Sequence, residues 1–423
     1  MAFSAQDWQR NIYLEGLAGR RTTIPTDPGR LEAVASARMS QEASAYIVGG
    51  AGAEQTMISN RAAFDATRIV PRVLQDVSSR SLDIQLFNET VPSPLLFAPI
   101  GVLELVHPEA DLAVARAARA LRLPMIFSNQ ASIPMEMCAK ELGDVMHWFQ
   151  LYWSKSRDLV ASFVRRAEAS RCSAIVVTLD TTLLGWRPRD LNLGYLPFLE
   201  GKGISQYTSD PVFLQMLQEP DSDPSPPRSL NLPSLQALVS IIHRFPGNSF
   251  LGKLRSGLPL KAVRKFIATY SNPATTWEDL SFLREQTKLK ILLKGVLHPD
   301  DARRAIDHGI DGIVVSNHGG RQVDGSIASL DALPPIVDVV NGRIPVLLDS
   351  GVRSGADIFK ALALGATAVC IGRPYVYGLA IDGQHGVENV MRNLIAEFEL
   401  TMALAGCKSV KEIHRDMVRG AQK

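Results

Sequence analysis

Residues 290–317 read KILLKGVLHPDDARRAIDHGIDGIVVSN, two short apolar runs with an amphipathic segment between them. The runs, residues 290–295 and 312–317, show no alternation of apolar and polar residues, which is typical of strands buried on both faces in a parallel sheet. Pro299 suits the first turn of a helix and Gly309 suits a helix end. The stretch therefore predicts a strand, a helix and a second strand in succession.

The same rhythm runs through the chain from residue 91 onward. Six further apolar runs of strand length occur at 95–100, 124–129, 146–152, 174–179, 344–349 and 367–372. Six of the seven intervals between successive strand ends are 22–33 residues, enough for one strand, one helix and two loops. The spacing predicts an α/β protein folded as a (β/α)8 TIM barrel. A doubly wound sheet also alternates strands and helices and is the less favoured alternative.

The remaining interval, after the fourth strand, is 116 residues long and predicts an insertion at about 188–280. We interpret this insertion as a partly irregular lid. Within it, residues 219–233 (EPDSDPSPPRSLNLP) are crowded with proline, serine and aspartate, a composition typical of irregular loops. Residues 1–90 are predicted to form a helical segment that packs on the barrel, and residues 91–423 to form the barrel with its insertion.

Composition excludes several classes of protein. The 423 residues are 46% hydrophobic, and 45 basic against 43 acidic residues leave a net charge of +2. This balance provides no global field for nucleic acid or an anionic membrane, so any anion must be recognised locally. The 4 cysteines form no CxxC pair, so we expect neither a metal site nor a disulfide framework. The first residues lack a signal-peptide core, and we expect a soluble cytoplasmic protein.

The carboxyl ends of barrel strands form the active site in this architecture. The sixth strand is followed by SNHGGRQ, residues 316–322, in which His318 is suited to accept a proton and Arg321 to grip a carboxylate. Together they suggest proton removal from a substrate that is itself an acid. Asp180, after the fourth strand, could orient His318 or cap the next segment. Arg187 could be a second carboxylate ligand or a surface residue.

Three more strand ends carry polar or glycine-rich signals. Lys294 ends an apolar strand, where it could form a Schiff base, stabilise negative charge on a cofactor, or be structural. The seventh and eighth strands are followed by DSGVRSG and IGRP, in which Gly351, Arg353, Gly372 and Arg373 suit a phosphate. A turn stabilised by ordinary ion pairs is the alternative explanation for these two ends.

Weaker candidates occur at other strand ends. Gln150 and Tyr152 end the third strand and could hydrogen-bond a planar polar ring and a substrate oxygen. Ser128 ends the second strand. Tyr46 precedes the glycine-rich GGAG ahead of the barrel, and is otherwise an ordinary core tyrosine.

These motifs resemble those of a known family, the FMN-dependent 2-hydroxy acid oxidases and dehydrogenases. The resemblance rests on SNHGGRQ, on LDSGVRSGADIFKALALGA (348–366), on IGRP (371–374) and on ELTMALAGC (399–407). It covers the chain from about Ala45 to Ile413, apart from much of the insertion. It implies a soluble flavoprotein with FMN as cofactor, assembled as a homo-oligomer, either a tetramer or a larger ring.

The resemblance also implies roles for individual residues. His318 would take the substrate hydroxyl proton while the hydrogen on the adjacent carbon goes to the flavin, by hydride transfer or through a carbanion. Asp180 would be its partner. Catalysis would further involve Lys294 beside the flavin, which displaces the Schiff-base interpretation. The implied substrate ligands are Tyr46, Tyr152, Arg187 and Arg321. The implied FMN contacts are Pro99, Ile100, Gly101, Ser128, Gln150, Thr178, Lys294, Ser316, Asp349, Gly351, Arg353, Gly372 and Arg373.

Within the family, APIGVLELVHPE (98–109) places Gly101 where most oxidases carry alanine and lactate 2-monooxygenase carries glycine. GWRPRDL (185–191) and the long insertion also resemble the monooxygenase. A closed lid would keep the keto acid beside the peroxide, so that L-lactate and molecular oxygen give acetate, carbon dioxide and water. Early release would instead give a 2-keto acid and hydrogen peroxide, and a dehydrogenase would use another electron acceptor. An FMN-dependent isomerase and an inactive flavin binder are alternatives from other functional classes.

Overall fold

Eight parallel strands close into a barrel in this computed structural model, which describes residues 4–219 and 231–420. Each strand pairs with its neighbours in chain order, and the eighth pairs with the first. The predicted (β/α)8 barrel is therefore confirmed. The strands, here β1 to β8, are Leu95–Phe97, Met125–Phe127, His147–Tyr152, Ala174–Thr178, Lys290–Val296, Gly312–Val315, Val346–Leu348 and Ala368–Ile371.

Apolar side chains fill the interior of the barrel, and each of the eight strands contributes one residue to a central layer. Inward-facing residues of this layer are Leu96, Ile126, Trp148, Val176, Leu292, Val314, Leu347 and Cys370. A two-stranded hairpin, Ile84–Leu86 with Glu89–Val91, packs its apolar residues against the same layer. Because side chains alternate along a strand, the residue two positions further on also points inward, now at the carboxyl end of the barrel.

One or more helices follow each strand and cover the outside of the barrel. The helices that flank the strands directly are Ala110–Leu121, Met135–Leu142, Arg157–Ala169, Asp279–Gln286, Pro299–Asp307, Ser329–Val340, Gly355–Ala363 and Arg373–Leu404. The last is interrupted at Asp382 and Gly383, whose backbone angles are not helical. Across the described ranges, no helix is both long and apolar enough to cross a membrane.

Besides the flanking helix Asp279–Gln286 and a 3-10 helix at Pro197–Glu200, the segment between β4 and β5 contains six α-helices within its described residues. They are Pro188–Asn192, Ser205–Thr208, Pro211–Met216, Leu232–Arg244, Phe250–Ser256 and Leu258–Thr269. An aromatic cluster holds them together, with Phe266 lying 4.8 Å from Tyr207 and 5.2 Å from Phe198, centroid to centroid. The predicted irregular loop falls largely on residues 220–230, outside the described ranges, and a helix begins at Leu232.

The segment ahead of the barrel is helical only in part. Helices occupy Ala5–Leu17, Pro28–Arg38, Gln41–Val48 and Gln55–Ala66. Residues 67–90 differ from the predicted helix, because they hold short strands at Arg68–Ile69 and Ile84–Leu86 joined by turns. The sequence IQL of the second strand alternates buried and exposed residues, the two-residue period of a strand. The predicted division of the chain at residue 90 stays a prediction.

Replacing a tryptophan inside the barrel should cost far more stability than replacing one on its surface. Trp148 is fully buried and donates from Nε1 to Ser173 Oγ at 3.1 Å, whereas Trp186 is 73% exposed. We expect Trp148→Ala to lower the free energy of unfolding by about 3–5 kcal/mol. We expect Trp186→Ala to change it by less than about 0.5 kcal/mol. Urea unfolding followed by circular dichroism checks this, and equal losses for the two variants would contradict it.

Candidate functional site

A cavity opens at the carboxyl ends of the barrel strands. Fourteen of the predicted site residues line it: Tyr46, Pro99, Ile100, Gly101, Tyr152, Arg187, Lys294, His318, Arg321, Asp349, Gly351, Arg353, Gly372 and Arg373. The other five lie behind the lining and are joined to it by hydrogen bonds: Ser128, Gln150, Thr178, Asp180 and Ser316. The structure therefore brings together every residue that the sequence analysis selected.

His318 and Asp180 form a hydrogen-bonded pair at the rim of the cavity. His318 follows β6 in a short turn with φ of 58°, and its backbone N–H donates to Ser316 Oγ at 3.0 Å. Its Nδ1 lies 2.8 Å from Asp180 Oδ1. With Nδ1–H donating to the carboxylate, the lone pair of Nε2 is left available to accept a proton.

The surroundings favour a neutral imidazole beside an ionised carboxylate. Burial lowers the pKa of His318 by more than the charge of Asp180 raises it, and Lys294 and Arg187 lower it further. For Asp180, burial alone would raise the pKa, but His318, Lys294 and the hydrogen bonds it accepts lower it overall. A neutral histidine with an orienting carboxylate is the arrangement of a general base.

Two arginines flank the ring of Tyr46 at the same rim. The guanidinium carbon of Arg321 lies 4.9 Å from the ring centroid and that of Arg187 lies 6.0 Å from it. Arg321 donates to the backbone carbonyls of Tyr46 and Gly49. Burial and the nearby charge of Arg187 lower the pKa of Arg321 to about 9, because two buried cations repel each other. An anionic substrate group between them would relieve that repulsion.

Lys294 ends β5 deep in the site and is almost fully buried. Its Nζ donates to Ser316 Oγ at 2.9 Å and lies 3.0 Å from Asp349 Oδ2. Burial alone would lower the pKa of Lys294, but the carboxylates of Asp349 and Asp180 outweigh burial and raise it. The side chain therefore stays an ammonium, fixed in place by β6 and β7.

A line of hydrogen bonds crosses the ends of β2, β3 and β4. Gln150 Nε2 donates to Thr178 Oγ1 at 3.0 Å, and Ser128 Oγ donates to Gln150 Oε1 at 3.2 Å. The backbone N–H of Asn129 also donates to Gln150 Oε1, at 3.3 Å. These side chains form the polar floor of the site next to Lys294.

The opposite end of the cavity carries an excess of positive charge. Arg353 follows β7 and donates to the carbonyl of Val352, whereas Arg373 follows β8 and donates to the carbonyls of Ile47, Gly49 and Gly319. Within the ranges that the structure describes, neither guanidinium makes an ion pair with a carboxylate. Half-buried cations of this kind, with no carboxylate partner in the described residues, are suited to a phosphate group.

The residues present fit FMN on this chemistry. The isoalloxazine ring needs hydrogen-bond donors and acceptors in a plane, the ribityl chain needs hydroxyl partners, and the phosphate needs cations. The polar floor just behind the lining, the ammonium of Lys294 with Asp349, and the two arginines after β7 and β8 supply these around one continuous cavity. That each predicted residue contacts FMN or substrate stays a prediction.

Gly101 lies in the wall of the cavity after β1. A Cβ at this position would stand 3.0 Å from both Gln130 Cβ and the Gln130 carbonyl oxygen. This separation is tighter than ordinary van der Waals contact, so an alanine here would require Gln130 to shift by a few tenths of an ångström. The glycine therefore leaves Gln130 close against the floor of the site.

Sequence reasoning missed several residues that line the cavity. Gln130 and Thr181 each lie within two residues of a predicted residue, and this closeness in sequence could have indicated that they line the cavity. Leu184, Phe198 and Tyr270 come from the segment between β4 and β5, and the latter two lie roughly 20 and 90 residues beyond the end of β4. No local pattern marks them, because only tertiary packing brings them over the barrel.

Comparison with known proteins gives one consistent result. Residues 35–420 match the family described as FMN-dependent dehydrogenase. The chain is 44% identical to an L-lactate oxidase of Lysinibacillus sphaericus over 86% of this chain and 85% of that protein. It is 40% identical to an FMN-dependent alpha-hydroxy acid dehydrogenase of Penicillium citrinum over 97% of this chain and 95% of that protein.

A solved structure supports the same assignment. Mandelate oxidase with (S)-4-hydroxymandelic acid superposes with a TM-score of 0.76 and 34% identity, covering 93% of this chain and 98% of that one. The family resemblance expected from the sequence motifs is therefore confirmed, and FMN is the cofactor that this family uses. The chain is a member of the FMN-dependent dehydrogenase family, and it is an oxidoreductase.

Proposed function

We propose that the chain oxidises small L-2-hydroxy acids at the carbon that bears the hydroxyl group. The observation that carries the proposal is the convergence of the His318–Asp180 pair with Arg187 and Arg321 at the rim of one cavity. A base beside two cations suits a substrate that presents both a hydroxyl and a carboxylate. The names of the relatives, which include oxidases of lactate and mandelate, point to the same class of substrate.

Each residue at the rim of the cavity has a separate role in the proposed reaction. Arg187 and Arg321 hold the substrate carboxylate beside the ring of Tyr46, which lies close to both guanidinium groups. His318 Nε2 takes the hydroxyl proton, and Asp180 stabilises the imidazolium that forms. Tyr152 lies buried in the same lining, where its hydroxyl can hydrogen-bond the substrate oxygen.

FMN supplies the electron chemistry when bound, accepting two electrons and the hydrogen of the substrate carbon. Lys294, Gln150 and Ser128 would hold its ring, Asp349 its ribityl chain, and Arg353 and Arg373 its phosphate. The fixed ammonium of Lys294 favours negative charge beside it, which is the charge that the cofactor gains on reduction.

The favoured substrate and products are L-lactate with molecular oxygen giving acetate, carbon dioxide and water. Two features support this choice over simple oxidation. Gly101 leaves room for Gln130 in the wall of the cavity, and the segment between β4 and β5 adds Phe198 and Tyr270 to the lining, where we infer that they cover the site. A covered site retains the keto acid long enough for peroxide to attack it. Release of 2-keto acid and hydrogen peroxide is the alternative, as in an oxidase.

An isomerase and an inactive flavin binder are less favoured. Isomerisation of a diphosphate substrate would require phosphate ligands in place of the His318–Arg321 combination, and an inactive protein would have lost one of these residues. Assembly as a homo-oligomer and a cytoplasmic location stay predictions from the sequence.

Removing the proposed base should separate cofactor binding from chemistry. We expect His318→Ala to keep FMN but to lower the rate of anaerobic flavin reduction by L-lactate by about 10²–10⁴-fold, because no group accepts the hydroxyl proton. The matched control is His414→Ala, which alters an exposed histidine that does not line the cavity. Bleaching of the yellow colour in a stopped-flow spectrophotometer measures the rate. Normal reduction by His318→Ala would refute the assignment.

The pH dependence should report the neutral imidazole. Because the pKa of His318 lies below the ordinary value of 6.5, the midpoint of the acid limb of kcat/KM should lie below pH 6.5. There kcat/KM should fall as His318 becomes protonated and can no longer accept a proton. Asp180→Asn removes the carboxylate that raises this pKa, so its acid limb should move to lower pH while its rate at pH 7 falls. An acid limb at or above pH 7 in the unmodified enzyme would contradict the proposed environment.

Product analysis under air should identify the fate of the keto acid. With L-lactate we expect acetate and carbon dioxide in equal amounts with oxygen consumed. Gly101→Ala must displace Gln130 and should shift the products toward pyruvate and hydrogen peroxide. Chromatography of the acids with a peroxidase-coupled assay measures both, with glycolate and mandelate run in parallel. Stoichiometric pyruvate and peroxide from the unmodified enzyme would move the assignment to a simple oxidase.

A further inference from the structure

A second cavity lies behind the His318–Asp180 pair. Its lining comes from the ends of β4 and β5 and from the segment between these strands: Trp153, Thr178, Leu179, Thr181, Thr182, Asn272, Thr275, Thr276, Trp277, Leu280, Gly295, Val296 and Asp301. Thr181 lines this cavity and the substrate cavity as well. Its side chain therefore stands in the wall between them, directly after Asp180.

The two oxygens of the Asp180 carboxylate have different surroundings. Oδ1 accepts from the hydroxyl of Thr181 at 3.0 Å and lies 2.8 Å from His318 Nδ1. Oδ2 is buried and has no hydrogen-bond partner in the described part of the chain. Oδ2 packs against Gly295, where a Cβ would stand 3.0 Å from it. Both donors therefore act on one oxygen, and the backbone of β5 blocks the other side.

We propose that Thr181 is a positioning residue for the general base. Its hydroxyl, 3.2 Å from His318 Nδ1, holds Asp180 Oδ1 in line with that ring nitrogen and so directs Nε2 into the substrate cavity. The inference rests on the proposed function, because it assumes that His318 accepts the substrate proton. Without the hydroxyl, the carboxylate keeps a single side-chain donor and loses the contact that fixes its rotation.

The same hydroxyl disperses the negative charge of Asp180. Other charged or titratable groups near the pair are Lys294 on β5, Arg187 and Tyr152 at the substrate cavity, and Asp301 at the second cavity. None of these changes when Thr181 is replaced by valine, which has nearly the same shape. Loss of the hydroxyl leaves more charge facing His318, so the histidine should be harder to deprotonate.

The experiment compares three variants of the FMN-loaded enzyme. Thr181→Val removes the hydroxyl at constant volume, Thr181→Ser keeps it, and Thr182→Val changes a neighbour that lines only the second cavity. Anaerobic flavin reduction by L-lactate is measured from pH 5 to pH 9, together with FMN content and thermal midpoint. Glycolate and mandelate replace lactate if it does not reduce the enzyme.

We expect Thr181→Val to reduce the flavin about tenfold more slowly at pH 7, the effect of losing one hydrogen bond to a charged group. For this variant, the pH at which the rate falls on the acid side should rise by about half a pH unit to one pH unit. Thr181→Ser and Thr182→Val should match the unmodified enzyme in both respects. An unchanged pH profile and rate for Thr181→Val, with FMN content preserved, would overturn this inference alone. An unmodified enzyme that none of the three acids reduces would overturn the proposed function, and this inference with it.

Discussion

Side chains along a barrel strand must alternate between the closed interior and the surrounding helices. In this chain the interior positions hold an apolar layer, and the next inward position on six strands is polar. The residues concerned are Ser128, Gln150, Thr178, Lys294, Ser316 and Asp349, each two positions beyond a residue of the apolar layer. The polar groups of the site thus lie directly on the packed apolar layer. Their relative positions are set by strand register rather than by flexible loops.

Charge imbalance is the second constraint on the site. Lys294 is compensated by Asp349, but four arginines around the cavity donate mainly to backbone carbonyls instead of to carboxylates. Such cations are costly to bury, and the cost falls when anions occupy the cavity. The cofactor phosphate and the substrate carboxylate would provide those anions at opposite ends. The protein alone therefore leaves these arginines without carboxylate partners, which is consistent with the proposed binding of two anionic ligands.

Much of this arrangement could be predicted from the sequence because it follows from short-range rules. The eight strands were predictable from apolar runs at regular spacing, and the polar layer from its place at their ends. The short strands at 68–69 and 84–86 escaped prediction, because so few residues carry too little periodicity to show. Phe198 and Tyr270 escaped as well, because their place over the barrel depends on an aromatic cluster formed by distant residues. Local sequence patterns thus predict the polar residues at the strand ends, but not the aromatic residues that the segment between β4 and β5 adds to the cavity.

The carbonyls of Tyr46, Ile47 and Gly49 accept hydrogen bonds from Arg321 and Arg373, which belong to the ends of β6 and β8. The stretch that precedes the first barrel strand is consequently joined by hydrogen bonds to the rim of the cavity. A minimal fragment cut at the start of the barrel would remove the Tyr46 and Gly49 acceptors of Arg321 and would leave Arg373 only the carbonyl of Gly319. In this fold, the smallest unit that keeps an intact site includes the leading helices as well as the barrel. Natural or designed variants of the barrel must therefore retain these helices.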